Sequence, residues 1–269
     1  MDVNRSGFYK WKNRASSPSN RIKKRMDDIV LFEEYHNKYP SHGYRWLNAK
    51  IRLDLGCVMS DQYAHRCCKF AGIKSKSKHY SYRKPGERTR KFDNLVLSSM
   101  KIDGPLQVIV SDMTAFWANK TYWELTLYMD LWNNEIIGYG LSCRRGDKST
   151  YYDGLTKVIE KIKGIEGLKV ILHTDQGSVY SSKSFNEILP IYNITHSMSR
   201  AGTPTDNGAM EAINGWAKDE MFIDFRINEC EDVPKFIERY VSFFNEERPA
   251  CTLGYLTPCA YRQMYQKRD

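Results

Sequence analysis

The sequence predicts a two-part α/β protein: a small all-α, helix-turn-helix-like unit, followed by a mixed β-sheet with flanking helices. Three observations carry this. Charge is split along the chain, with 22 Lys+Arg against 9 Asp+Glu in residues 1–100 and 19 against 23 in residues 101–269. The hydrophobic period is helical up to about residue 73 and strand-like from residue 104. Between them, KSKSKHYSYRKPGERTRK (residues 74–91) follows neither period and is basic, with Ser, Pro and Gly. The boundaries that follow are 1–73 for the helical region, 74–103 for a basic linker and 104–269 for the sheet domain.

In the first part, Ile22, Met26, Ile29 and Phe32 recur at helical spacing and predict a helix over residues 20–38. Tyr39-Pro40 closes it, because the residue before proline disfavours the helical region. A second helix is expected over 43–55, with Trp46, Leu47, Ile51 and Leu55 as its buried stripe and Gly56 as its stop. Ser60-Asp61 offers an N-cap for a third helix over 62–70. Short helices joined by a tight turn fit a helix-turn-helix or any small three-helix bundle, and this segment alone does not separate the two. In the first case the last helix would enter a major groove, with Gln62, Arg66 and Lys69 facing DNA. A basic excess this large suits a phosphate-binding surface; the plain alternative is a solvated basic face. The linker is expected to lie along phosphates as well.

In the second part, short apolar or alternating runs predict strands over 107–112, 122–130, 135–141, 169–173 and 194–198. Helices are expected over 149–162, 182–189, 207–222 and 233–245. Three strands come first and can form an antiparallel meander; later strands join through helices and give a mixed sheet covered on both faces. This order is similar to that of the ribonuclease H-like fold.

Composition narrows the class. Of 269 residues, 41% are hydrophobic and 27% charged, ordinary for a globular protein. No run approaches the roughly 18 apolar residues of a membrane span, so no membrane partner is expected. The opening MDVNRSGFYKWKNR has no apolar core and is not a secretory signal, which makes the cytoplasm the default compartment. The seven cysteines follow no disulfide framework and read as reduced, mostly buried thiols. His36, His42, Cys57, His65, Cys67 and Cys68 are near one another without zinc spacing, so no structural zinc is expected.

Three acids sit where chemistry could use them. Asp112 ends the first strand, Asp175 follows the fourth, and Glu211 lies in the first turn of the 207–222 helix. Phosphodiester cleavage must stabilise charge on both the attacking and the leaving oxygen, which two divalent ions held by carboxylates can do. Magnesium, a hard ion, suits such ligands. Spacing alone is weak evidence: with 17 Asp and 15 Glu, roughly one pair separated by 35 residues arises by chance. Singly, Asp112 reads equally as a strand-end turn residue, Asp175 as a turn cap before Gly177, and Glu211 as an exposed helix residue.

The surrounding strings weigh more. HTDQGSVY, SRAGTPTDNGAMEAINGWAKDE and FNEERPACTLGYLTP, in that order, resemble motifs of the catalytic core shared by retroviral integrases and the bacterial insertion-sequence-three family of transposases. HGYRWLNAKIRLDLG and RSGFYKW resemble that family's N-terminal segment, so the resemblance spans nearly the whole chain. It implies that Asp112, Asp175 and Glu211 are the catalytic acids and hold two Mg2+ ions, with Mn2+ as a substitute. It implies in-line attack on DNA, first by water and then by a freed 3′-hydroxyl, with no covalent protein intermediate. Lys218, two turns beyond Glu211, matches a basic residue that contacts the element end. Asn245, Arg248 and Pro249 match the closing motif, where Arg248 binds a phosphate or braces the fold. Gly177 and Gly208 would permit tight backbone near the metals, Asp206-Asn207 would cap the Glu211 helix, and His173 reads as a buried strand residue sooner than a phosphate contact.

The implied partners are DNA, as terminal repeats and target, a second copy of the chain on paired ends, and the product of an upstream reading frame, separate or fused. Departures from the pattern are Ser111, Ala115 and Ala250-Cys251; none removes a proposed ligand. Two other readings stay open: a catalytically idle DNA-binding regulator of transposition, and a nuclease of the same fold.

Overall fold

A computed structural model describes residues 4–16, 19–77, 101–199 and 208–266. Most of the expected linker, and the Asp206-Asn207 cap, lie outside the described residues. The chain divides into two compact units, Met1–Ser77 and Lys78–Asp269.

The first unit contains α1 (Arg5–Ser16), α2 (Asn20–Lys38), α3 (Tyr44–Leu55) and α4 (Asp61–Phe70). The sequence reading did not anticipate α1; its cap is Asn4, whose side-chain oxygen accepts from the Ser6 amide at 3.0 Å. Gly56 ends α3 at φ 66°, returning its N–H to the Arg52 carbonyl, and the Ser60 hydroxyl caps α4 by accepting from the Tyr63 amide. Ile29 and Phe32 from α2, Leu47 and Ile51 from α3, and Ala64, Cys67 and Cys68 from α4 form the core. Tyr63 donates to Asp28 at 2.7 Å and Asn48 donates to Asp61 at 3.0 Å, tying the helices at their polar edges.

Two expected stripes are shorter than the sequence suggests. Ile22 and Met26 are exposed, as is Leu55. Helix α2, at 19 residues, is roughly 28 Å long, whereas α3 and α4, at 12 and 10, reach only about 18 and 15 Å. They cover the C-terminal part of α2 and leave its start in water. Leu55 is the last residue of α3, at the end of the packed face.

The second unit is built on a five-stranded sheet of order β3-β2-β1-β4-β5. Its strands are β1 (Val108–Ala118), β2 (Thr121–Asp130), β3 (Glu135–Ser142), β4 (Val170–Thr174) and β5 (Ile194–Met198). The first three form an antiparallel meander, and β4 and β5 run parallel to β1. Helices α5 (Ser149–Ile162), α6 (Lys183–Ile188), α7 (Gly208–Asp219), α8 (Val233–Glu246) and α9 (Pro258–Gln266) accompany it. This is the mixed sheet with flanking helices of a ribonuclease H-like fold.

β1 runs six residues further than expected. Asn119 and Lys120, both at positive φ, close a two-residue hairpin that lets β1 pair with β2 as far as Ala118 and Thr121. A large core cluster, including Ile109, Tyr128, Leu155, Val158, Leu172, Tyr180 and Phe185, lies between sheet and helices on the α5 face. There α5 rests almost backbone to backbone on β3: a Cβ at Gly140 would collide with the Thr150 carbonyl, and one at Gly154 would sit 2.5 Å from the Tyr128 ring. Helix α9, also unanticipated, is fastened by Arg262, which pairs with Asp130 at 3.1 Å and Glu135 at 2.7 Å.

The helix expected over 207–222 is not uniform. α7 ends at Asp219 and the chain continues through one wider π turn, Glu220–Asp224. The cysteines are all free thiols, but only Cys67 and Cys68 are buried; Cys57, Cys143 and Cys251 are exposed, against the expectation of mostly buried thiols.

Candidate active site

Register brings the first two acids together. β1 and β4 are parallel neighbours, with Ser111 opposite Thr174. The next residue on each chain is Asp112 and Asp175, at about the 4.8 Å spacing of adjacent strands. Each carboxylate is held by its own local backbone. Asp112 Oδ1 accepts from the Met113 amide at 2.9 Å, and Asp175 Oδ1 accepts from the Gly177 amide at 2.9 Å. A Cβ at Gly177 would lie 2.8 Å from Asp175 Oδ1, so any larger residue there would displace that carboxylate.

The third acid rides on α7. Glu211 falls in the first turn of this helix, and its side chain lies outside the described atoms. Positions 214 and 218, about one and two turns further along α7, face Asp112. Asn214 Nδ2 donates to Asp112 Oδ2 at 2.8 Å. Its own Oδ1 is buried without a hydrogen-bond partner, although the residue is only 8% exposed. Lys218 is half-buried; burial lowers its ammonium pKa, and the negative charge of Asp112 opposes that shift. Asn214 was not singled out from sequence. The available signal was its offset of three from Glu211, which repeats the helical period.

The neighbouring side chains are structural. His173 is completely buried, with Nδ1 2.9 Å from the Ser197 hydroxyl and Nε2 3.0 Å from that of Ser199. The Tyr180 and Ser111 hydroxyls meet at 2.7 Å beneath Asp112, and Tyr151 packs edge-on against Tyr180. The Tyr151 phenol is pushed up to about 12, first by burial and then by the charges of Asp175, Glu124 and Asp112.

Arg248 faces the interior. Its side chain is buried and its Nε lies 2.6 Å from Glu220 Oε1, while the Tyr240 hydroxyl donates to Glu220 Oε2 at 2.7 Å. The guanidinium also lies over the Phe244 and Trp216 rings. These contacts brace the π turn and favour the bracing reading of Arg248 over a phosphate contact. Asn245 likewise braces, exchanging two hydrogen bonds of 2.9 Å with the Ile136 backbone. Gln62, Arg66 and Lys69 are exposed on one face of α4, in the other unit.

Hard oxygen donors, one within β1 and one just past the end of β4, with a buried amide oxygen beside the first, suit magnesium better than a softer metal. Among the described residues no three His, Cys, Asp or Glu side chains form a metal cluster, and Glu211 is not among the side chains described.

Fold and carboxylate pair define a class, the polynucleotidyl transferases of the integrase core, and comparison with known proteins agrees. The integrase core domain family matches residues 103–204, and a second integrase core family matches 192–258. A protein assigned as the transposase InsK for insertion sequence element IS150 of Escherichia coli (strain K12) is 30% identical over 99% of this chain and 93% of its own length. An uncharacterized transposase-like protein of Haemophilus influenzae is 33% identical over 73% of this chain and 90% of its own length. The simian T-cell lymphotropic virus intasome, solved in complex with PP2A regulatory subunit B56 gamma, includes a chain of the same fold. It aligns at a TM-score of 0.51 and 17% identity, covering 80% of this chain and 74% of that one. The chain belongs to the insertion-sequence-three family of DDE transposases, and is a DNA transposase. Among the described residues, no helix is long and apolar enough to cross a membrane.

Proposed function

We propose that Asp112, Asp175 and Glu211 hold two Mg2+ ions, for which Mn2+ substitutes, and that the protein cleaves DNA at the ends of its element and joins the freed ends to a target. The observation that carries this is the meeting of three elements. The parallel pairing of β1 with β4 ends just before Asp175 and beside Asp112, and Asn214 ties α7, the helix that carries Glu211, to Asp112. When bound, the two ions supply stabilisation of charge on the attacking and the leaving oxygen.

The chain's own residues do the positioning. The Gly177 and Met113 amides orient the two aspartates, so little reorganisation is needed when a phosphate arrives. Lys218, partly withdrawn from water, offers a cation whose attraction to a phosphate oxygen is weakly screened. Water serves as the nucleophile for cleavage and the freed 3′-hydroxyl for joining, without a covalent protein intermediate.

In the same proposal residues 1–73 bind DNA, with Gln62, Arg66 and Lys69 facing it. Residues 74–103 follow phosphates as a basic linker, and residues 104–269 are the catalytic core. The protein assembles as a homo-oligomer on paired element ends, works with the upstream-frame product, and acts in the bacterial cytoplasm.

The test is incubation of the protein with Mg2+ and a labelled DNA carrying the element end, beside Glu211→Gln. Cleavage and joined product, both lost in the variant, are the expected result. Binding without Mg2+-dependent chemistry would leave an idle regulator instead, and cleavage without joining would leave a nuclease.

A further inference from the structure

The sheet continues past the acids, and its far end is unlike the rest of the unit. Beyond Asp112, β1 runs on to an exposed Trp117, 64% accessible at the tip of the hairpin. Its ring packs edge-on against Tyr122 at 5.7 Å, and the Arg145 guanidinium lies over the other ring, 5.3 Å from the Tyr122 centroid. Arg144 and Lys148, in the same β3–α5 loop, are exposed, as is Lys120 in the hairpin turn. The hairpin and the β3–α5 loop thus carry four exposed cations, one of them over Tyr122, in a unit whose residues 101–269 hold 19 Lys+Arg against 23 Asp+Glu.

The cations are set on a fixed base. Glu124 is buried, and its carboxylate accepts from the Gly146 amide at 2.9 and 3.0 Å and from the Tyr122 hydroxyl at 2.9 Å. Asp147 accepts from Ser142 at 2.7 Å and from the Ser149 amide at 2.9 Å, which holds the loop to the start of α5. Both acids are turned inward to hold the loop, and the arginines and lysines are left on the outside. A merely solvated loop would not need a buried carboxylate to fix its backbone.

Position links this surface to the carboxylates. Ser142, Glu124 and Ala115 form one cross-strand row three residues past Asp112, so the loop lies at the active-site end of the sheet. Tyr151, in the first turn of α5, feels the charges of Asp175, Glu124 and Asp112 together. A DNA strand engaged at the acids would pass this surface as it leaves.

We infer that Trp117, Tyr122 and the Arg144, Arg145 and Lys148 loop form a platform for a DNA strand beside the scissile phosphate, with an unpaired base stacking on Trp117. An exposed aromatic accepts any base, and the flanking cations follow the backbone by releasing counterions. The inference rests on the reading of Asp112 and Asp175 as the catalytic pair.

The test uses the full-length protein and a forked DNA duplex whose single-stranded arm carries 5-iodouracil. After irradiation without metal, the expected cross-link maps to the tryptic peptide 102–120 and disappears in Trp117→Ala. That variant should also lose about five-fold or more in affinity for the fork relative to a blunt duplex. Arg144→Ala/Arg145→Ala should reduce the slope of log K against log salt by about 1 to 2. Cross-links confined to residues 1–77, or unchanged fork preference and salt slope in both variants, would overturn the platform. So would a change in sedimentation of Trp117→Ala without loss of the cross-link, which would give this face to a second copy. Glu211→Gln should retain the cross-link while losing chemistry, which separates failure of the platform from failure of the catalytic assignment.

Discussion

Replacing Arg248 with alanine tests the interior of the catalytic unit. Arg248 and Glu220 meet at 2.6 Å with side chains 9% and 1% exposed, so neither charge has much water to fall back on. Without the guanidinium, Glu220 keeps the Tyr240 hydroxyl at 2.7 Å. A neutral hydroxyl does not replace the guanidinium charge at that depth, and loss of one partner from a buried pair typically costs about 3–5 kcal/mol. For a unit of this size, each kcal/mol corresponds to roughly 2–4 °C, so the melting temperature should fall by roughly 6–20 °C. Glu220→Gln/Arg248→Met removes both charges, keeps an acceptor for Tyr240 and retains side-chain volume. It should recover at least half of the loss, because a buried ion pair contributes little beyond what its own desolvation costs. Urea unfolding of wild type, single and double variants measures this. A single-variant loss below about 1 kcal/mol, or a double variant no more stable than the single, would refute the bracing role. A fall of about 1 in the salt slope of DNA binding on Arg248→Met would show that the residue reaches a phosphate after all.

Other consequences follow from the same packing. Gly140→Ala drives a methyl group into the Thr150 carbonyl and should cost about 3 kcal/mol or more in urea unfolding, since backbone cannot move aside as a flexible side chain does. Asn214→Leu keeps the volume and should leave stability nearly unchanged, while raising the Mg2+ concentration for half-maximal cleavage about 10- to 100-fold; an unchanged requirement would remove Asn214 from the site. His196 is driven down from 6.5 to about 4 by burial and then by nearby His173. The unfolded chain therefore takes up that proton first, and stability should fall by up to about 3 kcal/mol as pH drops from about 6.5 to about 4. In His196→Gln that part of the pH dependence of the unfolding midpoint should vanish.

Much of this was legible because apolar periodicity is local. The runs leading into Asp112 and Asp175 are short and apolar, and the capping chemistry of Ser60 and Gly56 is written in single residues. What escaped depends on distant partners. Ile22 and Met26 have helical spacing, but nothing in their own segment says that α3 and α4 stop short of them. The extension of β1 hinges on Asn119-Lys120, a weaker turn signal than Asn-Gly. Arg248 sits in a motif suggestive of phosphate, and only the fold brings Glu220 and Tyr240 to it, 28 and 8 residues earlier in the chain. Asn214 looked like any polar helix residue until β1 came to lie beneath α7.

The π turn at Glu220–Asp224 has a mechanical consequence. A helix advances about 100° per residue, so its two ends cannot be aimed independently unless the count between them is adjusted. α7 is aimed by Asn214 at Asp112, and a few residues later Glu220 must reach Arg248. The wide turn begins at Glu220, after both anchors, and returns the Phe225 N–H to the Glu220 carbonyl, so it sets the direction of the chain beyond them. Deleting one residue from 221–224 would keep the helical character and the composition. It would leave Asn214 and Glu220 in register with each other and turn Phe225 about 100° away from Tyr240 and Phe243, against which its ring packs.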